Sequence, residues 1–152
     1  MICIGIDPGA KGALVVLTDR SAITYKFSDK TEYDICEVLF SIASDCHFAM
    51  IEKVHSMPKQ GVASTFKFGQ NYGTLRGFLI AAALIYDLRW DDVTPMKWQT
   101  AMGCITPPAY TGTQKKNHHK SKAQQLFPQI KITHAIADAL LIAEYCRRTN
   151  EF

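Results

Sequence analysis

The sequence lacks an apolar run long enough to cross a membrane. Its longest uncharged apolar stretch, from Phe78 to Tyr86, is far shorter than the roughly 20 residues that a membrane-spanning helix needs. The first residues, MICIGIDPG, read as a strand and lack the basic segment followed by an apolar segment that marks a signal peptide. We therefore expect a cytoplasmic protein with no membrane partner and no organic cofactor.

Paired cysteines are also missing. The five cysteines are an odd number, are widely spaced and include no CxxC pair. This pattern argues against a disulfide framework and against a zinc site built from cysteines. It predicts reduced thiols that are mostly buried in the core.

Acidic residues are absent from two long stretches of the chain, 53–86 and 93–137, although the net charge is only +3. A basic surface free of acids suits a polyanion, because each phosphate that it neutralises releases counterions. The alternative is an ordinary solvated face from which acids are missing by chance. The basic candidates for phosphate contact in these stretches are Lys59, Lys67, Arg76, Lys97, Lys115, Lys116, His118, Lys120 and Lys122.

What is present is an ordinary globular composition, with 47% hydrophobic and 20% charged residues in 152. This length is typical of one domain. Apolar periodicity and turn residues predict a mixed α/β fold whose first three strands are antiparallel. The predicted strands are 2–7, 13–17, 22–27, 48–51 and 88–94, and the predicted helices are 32–45, 63–86, 96–102, 117–127 and 133–148, with a loop at 103–113.

The helix predicted over 63–86 has a glycine at every fourth position, at Gly69, Gly73 and Gly77. Each glycine costs a helix about 1 kcal/mol relative to alanine, so close contact with another backbone should compensate for them. Two partners are open: the sheet beneath the helix, or a helix of a second subunit.

Three carboxylates stand at the ends of apolar elements or inside them: Asp7, Glu52 and Asp138. Lone buried carboxylates are costly, so such residues are usually paired, hydrogen-bonded or bound to metal. If the first and fourth strands are parallel neighbours, Asp7 and Glu52 emerge at one edge of the sheet. His134 precedes Asp138 by four residues, so both lie on one helix face.

Oxygen-rich ligand sets favour Mg²⁺ or Mn²⁺, and two such ions about 4 Å apart can clamp the oxygens of a phosphoryl transfer. We therefore predict that Asp7, Glu52, His134 and Asp138 are catalytic residues and ligands of two Mg²⁺ ions, which Mn²⁺ can replace. Each acid also has a structural alternative. Asp7 can cap its turn, Glu52 can pair with Lys53 or Arg76, and Asp138 can be a charge on a helix face.

Four segments carry a resemblance to a known family: IGIDPGAKGALVVL at 4–17, IEKVH at 51–55, FGQNYGTLRG at 68–77 and HAIADALLIAEY at 134–145. In this order and spacing they resemble the RuvC-type Holliday-junction resolvases, above all the small bacteriophage members. The resemblance spans nearly the whole chain and implies an RNase H-like fold. It also implies that Asp7, Glu52 and Asp138 bind two Mg²⁺ ions. His134 would be a further ligand, four residues before Asp138, where the bacterial pattern has its ligand three residues before the corresponding acid.

The resemblance implies a homodimer that nicks two strands of a four-way junction symmetrically and leaves 5′-phosphates. A junction with two-fold symmetry matches a dimer with two-fold symmetry, so Gly69, Gly73 and Gly77 become candidates for the dimer interface. His55 stands where bacterial members have an aromatic wedge, and it joins the candidates for DNA contact.

Three other functions compete with this interpretation. The protein could be an RNase H-like nuclease acting on flaps or hybrids, or a binder of branched DNA without catalytic activity. An actin-like ATP-binding domain would need a second phosphate loop and a second domain, for which 152 residues leave no room.

Overall fold

A five-stranded mixed sheet forms the centre of the structure, which is a computed structural model that describes residues 1–19 and 21–150. Each strand has five residues, and the described helices flank the sheet. The strands are β1 Cys3–Asp7, β2 Ala13–Leu17, β3 Ala22–Lys26, β4 Phe48–Glu52 and β5 Arg89–Val93, and the helices are α1 Glu32–Ala43, α2 Val62–Tyr86, α3 Pro95–Ala101, α4 Gly112–Leu126 and α5 His134–Asn150.

The strands lie side by side in the order β3-β2-β1-β4-β5. Strands β1, β2 and β3 are antiparallel neighbours, whereas β4 runs parallel to β1 and β5 runs parallel to β4. The predicted mixed α/β sheet, with its first three strands antiparallel, is therefore confirmed. None of the described helices is both long and apolar enough to cross a bilayer.

A separate hydrophobic cluster covers each face of the sheet. On one face α5 packs with α3 and α4, and its central residues, such as Leu140 and Ile142, are fully buried. On the other face α1 and α2 contribute Leu39 and Leu79, also fully buried. Four of the five cysteines are buried in these clusters, as the sequence predicts.

Helix α5 rests directly on the middle of β1, and Gly5 makes this possible. A Cβ atom at Gly5 would collide with the carbonyl oxygen of Ala139 and the amide nitrogen of Ala143, and it would lie 2.8 Å from the Ala143 Cα. Because this contact brings backbone against backbone, it sets the height of α5 above the sheet. It thereby sets where Asp138, one residue before Ala139, lies relative to the end of β1.

The structure corrects the predicted start of α4. We predicted a loop to residue 113 and a helix from 117, but α4 begins at Gly112. Thr111 and Gln114 form a capping box, in which each side chain bonds to the other residue's backbone amide. This segment is so polar that it shows no apolar repeat of helical spacing. The T-x-x-Q pattern is the signal that identifies the start of the helix.

The structure also excludes the sheet as the partner of the glycine stripe. Gly69, Gly73 and Gly77 are exposed, and a Cβ atom at any of them would have no atom within 4 Å. The stripe continues into exposed apolar side chains, which are Val62, Phe66, Ile80 and Leu84. This face of α2 points away from the sheet, and its role in a dimer remains a prediction.

Candidate active site and nucleic-acid interface

Two carboxylates meet where β1 and β4 end. The two strands are parallel and pair Ile6 with Ile51, and each strand ends at the next residue, Asp7 or Glu52. Parallel neighbours in this register present their last side chains at the same edge of the sheet. The predicted meeting of Asp7 and Glu52 therefore follows from the strand pairing.

Asp7 is held by the turn that follows it. The Gly9 amide donates to Asp7 Oδ1 at 3.1 Å, so Asp7 does cap its turn as its structural alternative proposed. Gly12 closes over the same residue, because a Cβ atom there would collide with the Asp7 carbonyl oxygen and lie 2.9 Å from Cγ. The turn therefore needs glycine at position 12 to place Asp7.

Glu52 is held by a tryptophan rather than by a cation. The Trp98 Nε1–H group donates to Glu52 Oε2 at 2.6 Å, and the indole itself is fully buried. Neither Lys53 nor Arg76 forms the ion pair with Glu52 that we considered; the Arg76 guanidinium lies near Asp92 instead.

Asp138 is held by His119, a residue that the sequence analysis did not select. Asp138 Oδ1 lies 2.8 Å from His119 Nδ1, and His119 is only 8% exposed. The imidazole also meets the Trp98 indole edge to face, with centroids 5.4 Å apart. Trp98 and His119 therefore form one buried unit that contacts Glu52 on one side and Asp138 on the other.

His134 lies apart from this unit. It is exposed at the first turn of α5, and its Nε2 lies 2.8 Å from Asn117 Oδ1. The structure thus brings together three of the four predicted site residues and adds His119. The role of His134 as a ligand remains a prediction.

The three carboxylates repel one another electrostatically. Desolvation and the charge of Asp138 raise the pKa of Asp7 to about 6, despite its bond to Gly9 and the nearby Lys116. Desolvation and the charge of Asp7 raise the pKa of Glu52 to about 7. Burial lowers the pKa of His119, but its hydrogen bond to Asp138, the charges of Asp138 and Glu52, and a backbone bond with Cys104 together outweigh burial, so its pKa is raised.

The donor chemistry of this edge suits a hard cation, although the side chains are not arranged as a finished cage. Each carboxylate has one oxygen bonded to a protein donor, and no described residue bonds to the second. A divalent cation would relieve the repulsion that raises the two pKa values. Within residues 1–19 and 21–150, however, no three His, Cys, Asp or Glu side chains form a group that could hold a metal ion.

One of the predicted basic residues on α3 and α4 lies within electrostatic reach of this edge. Lys115 and Lys116 are exposed in the first turn of α4, and the charge of Lys116 lowers the pKa of Asp7, which places it within electrostatic reach of the site. Lys97 is exposed in the short helix α3. His118 and Lys120 are half-buried in α4.

Lys122 lies beside Gly103, just after α3. Its Nζ approaches Gly103, 3.3 Å from where a Cβ atom of that residue would stand. Gly103 has φ of 66°, in the region that glycine adopts without strain. A DNA contact by Lys122 remains a prediction.

The remaining predicted DNA contacts divide into two groups. His55, Lys59 and Lys67 are exposed on the loop before α2 and on its first turns. Arg76 instead lies 3.6 Å from Asp92 and against the rings of Tyr72 and Trp90. This geometry favours a structural role for Arg76, joining α2 to β5, over the predicted contact with DNA.

His119 is the functional candidate that sequence reasoning missed. We selected His118 from the pair of histidines, whereas the structure buries His119 on the inner face of α4 with Ala123, four residues later. The i, i+4 spacing of these two residues is the available signal. It was weak because α4 is polar on almost every side and its start was misplaced.

Two solved structures share the fold of this chain. One is the Thermus thermophilus RuvC structure, at 16% sequence identity and a TM-score of 0.59, covering 94% of this chain and 91% of RuvC. The other is T. thermophilus RuvC in complex with a Holliday junction substrate, also at 16% identity and a TM-score of 0.59, covering 94% and 90%. The chain therefore has the RuvC fold, of the RNase H-like class, as the resemblance implied. No protein-family model matches the sequence, and no curated protein matches it.

The raised pKa values predict how the metal-free protein responds to pH. An acid whose pKa is raised by folding binds its proton more tightly in the folded state, so stability falls as pH rises through the interval from about 4 to 7. Asp7→Asn removes one such acid and keeps an oxygen for the Gly9 amide. We expect this variant to be more stable than the parent protein at pH 8 in EDTA, by on the order of 2 kcal/mol, in urea unfolding.

The matched control for this experiment is Asp29→Asn, which neutralises an exposed carboxylate in the turn before α1. It should unfold like the parent protein at every pH. Equal stability of Asp7→Asn and the parent protein at pH 8 would show that folding does not raise the pKa of Asp7.

A double-mutant cycle tests which histidine supports Asp138. Removing either partner of the His119–Asp138 bond leaves the other polar group poorly paired, so His119→Ala and Asp138→Ala should be coupled by about 1–3 kcal/mol in the free energy of unfolding. The same cycle with His134→Ala should give a coupling near zero in EDTA. Larger coupling to His134 than to His119 would contradict the observed pairing.

Proposed function

We propose that this protein is a metal-dependent endonuclease that cuts branched DNA, with the four-way junction as its substrate. The observation that carries the proposal is the convergence of Asp7, Glu52 and Asp138 at one edge of a sheet with the RuvC fold. The exposed lysines of α3 and α4 support it, because they give a polyanion a favourable approach to that edge. T. thermophilus RuvC in complex with a Holliday junction substrate is similar in fold and supports this choice of substrate.

The three carboxylates would hold Mg²⁺ through the oxygens that no described residue engages, and Mn²⁺ would serve in its place. A bound divalent cation supplies positive charge for the phosphoryl oxygens and lowers the pKa of water. Trp98 fixes the rotamer of Glu52, and His119 fixes that of Asp138. Lys116 adds positive charge beside Asp7, where the phosphate would lie.

Paired nicks require two sites related by symmetry, so we propose a homodimer. The exposed face of α2 supplies the surface, because its three glycines leave room for a second helix to approach closely. The apolar side chains at both ends of the stripe, among them Phe66 and Leu84, are 72% and 83% exposed. Exposed apolar stripes of this kind mark interaction surfaces, and a two-fold axis through α2 would bury the stripe against itself.

A cleavage assay tests the proposed activity. Labelled four-way, three-way, flap, linear and RNA–DNA hybrid substrates are incubated with the protein in Mg²⁺ or in EDTA. We expect symmetric paired nicks with 5′-phosphates in the four-way junction, in Mg²⁺ only. Asp7→Asn should cut about 100- to 1,000-fold more slowly, because removing one group that stabilises charge at a reaction centre lowers kcat by about this factor.

The Asp29→Asn protein should cut at the parental rate. A junction that is bound but not cut in Mg²⁺ would identify a binding protein without catalytic activity. A preference for flaps or hybrids would identify the RNase H-like alternative. Isothermal titration with Mn²⁺ separates failure of metal binding from failure of catalysis.

Sedimentation tests the dimer. We expect the parent protein to sediment at twice the 17.0 kDa of one chain, and Gly73→Phe to sediment as a monomer. The substitution fits the isolated fold, since nothing lies within 4 Å of a Cβ atom at this position. Gly112→Phe makes the same change at another open position and should stay dimeric. A dimeric Gly73→Phe protein would place the interface elsewhere.

A further inference from the structure

A cavity of about 190 Å³ opens beside the turn that holds Asp7, between α1 and α2. One wall is the turn itself, at Pro8, Gly9 and Ala10. Gly9 is the residue whose amide bonds to Asp7, so the cavity lies next to the candidate active site but does not include its carboxylates. We refer to it as the α1–α2 pocket.

The interior of the α1–α2 pocket is apolar and partly aromatic. Phe27, Ile35, Leu75 and Phe78 line it, and two of these four residues carry rings. Sites for drug-sized ligands usually occupy about 300–1,000 Å³, so this smaller pocket suits a single planar group. Bases that leave a DNA stack are commonly received on aromatic side chains.

The polar lining of the pocket also has the chemistry of a nucleotide site. Lys30 and Lys67 line it, and neither forms an ion pair with any described acid. Asn71 and Thr74 add an amide and a hydroxyl, which make no hydrogen bond to a side chain or backbone group in the described part of the chain. These groups are thus open to a ligand.

One acidic residue, Glu32, also lines the pocket. A carboxylate repels phosphate, but it accepts a hydrogen bond from the exocyclic amino group of a base. An asparagine amide can donate and accept at once, which matches the amino group and ring nitrogen of adenine. The pair Glu32 and Asn71 therefore favours a base that carries an amino group over thymine.

The pocket and the glycine stripe lie on different faces of α2. Lys67, Asn71, Thr74 and Phe78 follow one another at spacings of four, three and four residues, which places them on one face. By the same geometry, Gly69, Gly73 and Gly77 are centred roughly 130° away around the helix. Pairing of two α2 helices through the stripe would therefore leave the pocket open to DNA.

We propose that the α1–α2 pocket receives one unstacked nucleobase from the DNA strand that approaches Asp7. Asn71 bonds to the edge of this base, and Lys30 and Lys67 contact the phosphates on either side of it. This inference rests on the proposed function for the presence of branched DNA at this edge of the sheet. It adds a site that reads a base without taking part in the reaction.

Abasic scanning tests the pocket without any cleavage. Four-way junctions that each lack one base, at successive positions around the centre, are titrated with the full-length protein in EDTA, and binding is followed by fluorescence anisotropy. We expect one position at which loss of the base weakens binding by the parent protein about 5- to 100-fold, the range for one stacked base. Restoring adenine there should bind more tightly than restoring thymine.

Two variants and one control locate this effect. Thr74→Tyr fills the pocket, so it should bind intact and abasic junctions equally. Asn71→Ala removes the bond to the edge of the base, so it should lose the preference for adenine over thymine. Ser28→Tyr adds the same ring at an exposed residue that does not line the pocket and should keep the parental dependence. Thermal unfolding of each variant shows whether it is folded, and Asn71→Ala serves as the test if Thr74→Tyr is not.

The outcomes separate this proposal from the proposed function. Cleavage in Mg²⁺ without dependence on any one base would overturn the pocket and leave the nuclease standing. Base-dependent binding of a junction that is never cut would support the pocket and overturn the proposed nuclease activity. A parental preference for adenine in Asn71→Ala would overturn the pocket, and failure to bind any DNA would overturn both.

Discussion

Mutual repulsion among three carboxylates is the constraint around which the candidate site is organised. Strand pairing brings Asp7 and Glu52 to one edge, and the contact of α5 with Gly5 brings Asp138 to the same place. Burial and then their mutual repulsion raise the pKa values of Asp7 and Glu52, so keeping these groups charged at neutral pH destabilises the folded chain. Sites that keep like charges together at the expense of stability are typically functional, and this supports a role in binding cations.

Buried donors keep these acids in place. The indole of Trp98 and the imidazole of His119 contact each other in the core and each holds one carboxylate. Both rings lie in the same cluster as the inner face of α5 or against it. Packing on that side of the sheet therefore also orients the acids, because neither ring can shift without moving the carboxylate that it holds.

Helix α2 serves the opposite side of the site with two different surfaces. Its buried residues Leu75 and Leu79 fix it to the sheet, and its other faces carry the glycine stripe and the lining of the α1–α2 pocket. Twenty-five residues in a continuous helix are enough to separate these surfaces, so the proposed partner subunit and the proposed DNA strand would meet different faces of one element.

The sequence by itself determined the strands, the antiparallel start of the sheet and the three acids, because apolar periodicity and buried charge are local signals that a single chain displays. Only the tertiary structure decided what holds those acids. The bonds from Trp98 to Glu52 and from His119 to Asp138 join residues 46 and 19 positions apart, and no local pattern encodes such pairings. The exposure of the glycine stripe and the contacts of Arg76 with Asp92 and Trp90 were decided in the same way, since both depend on which face of α2 meets the sheet.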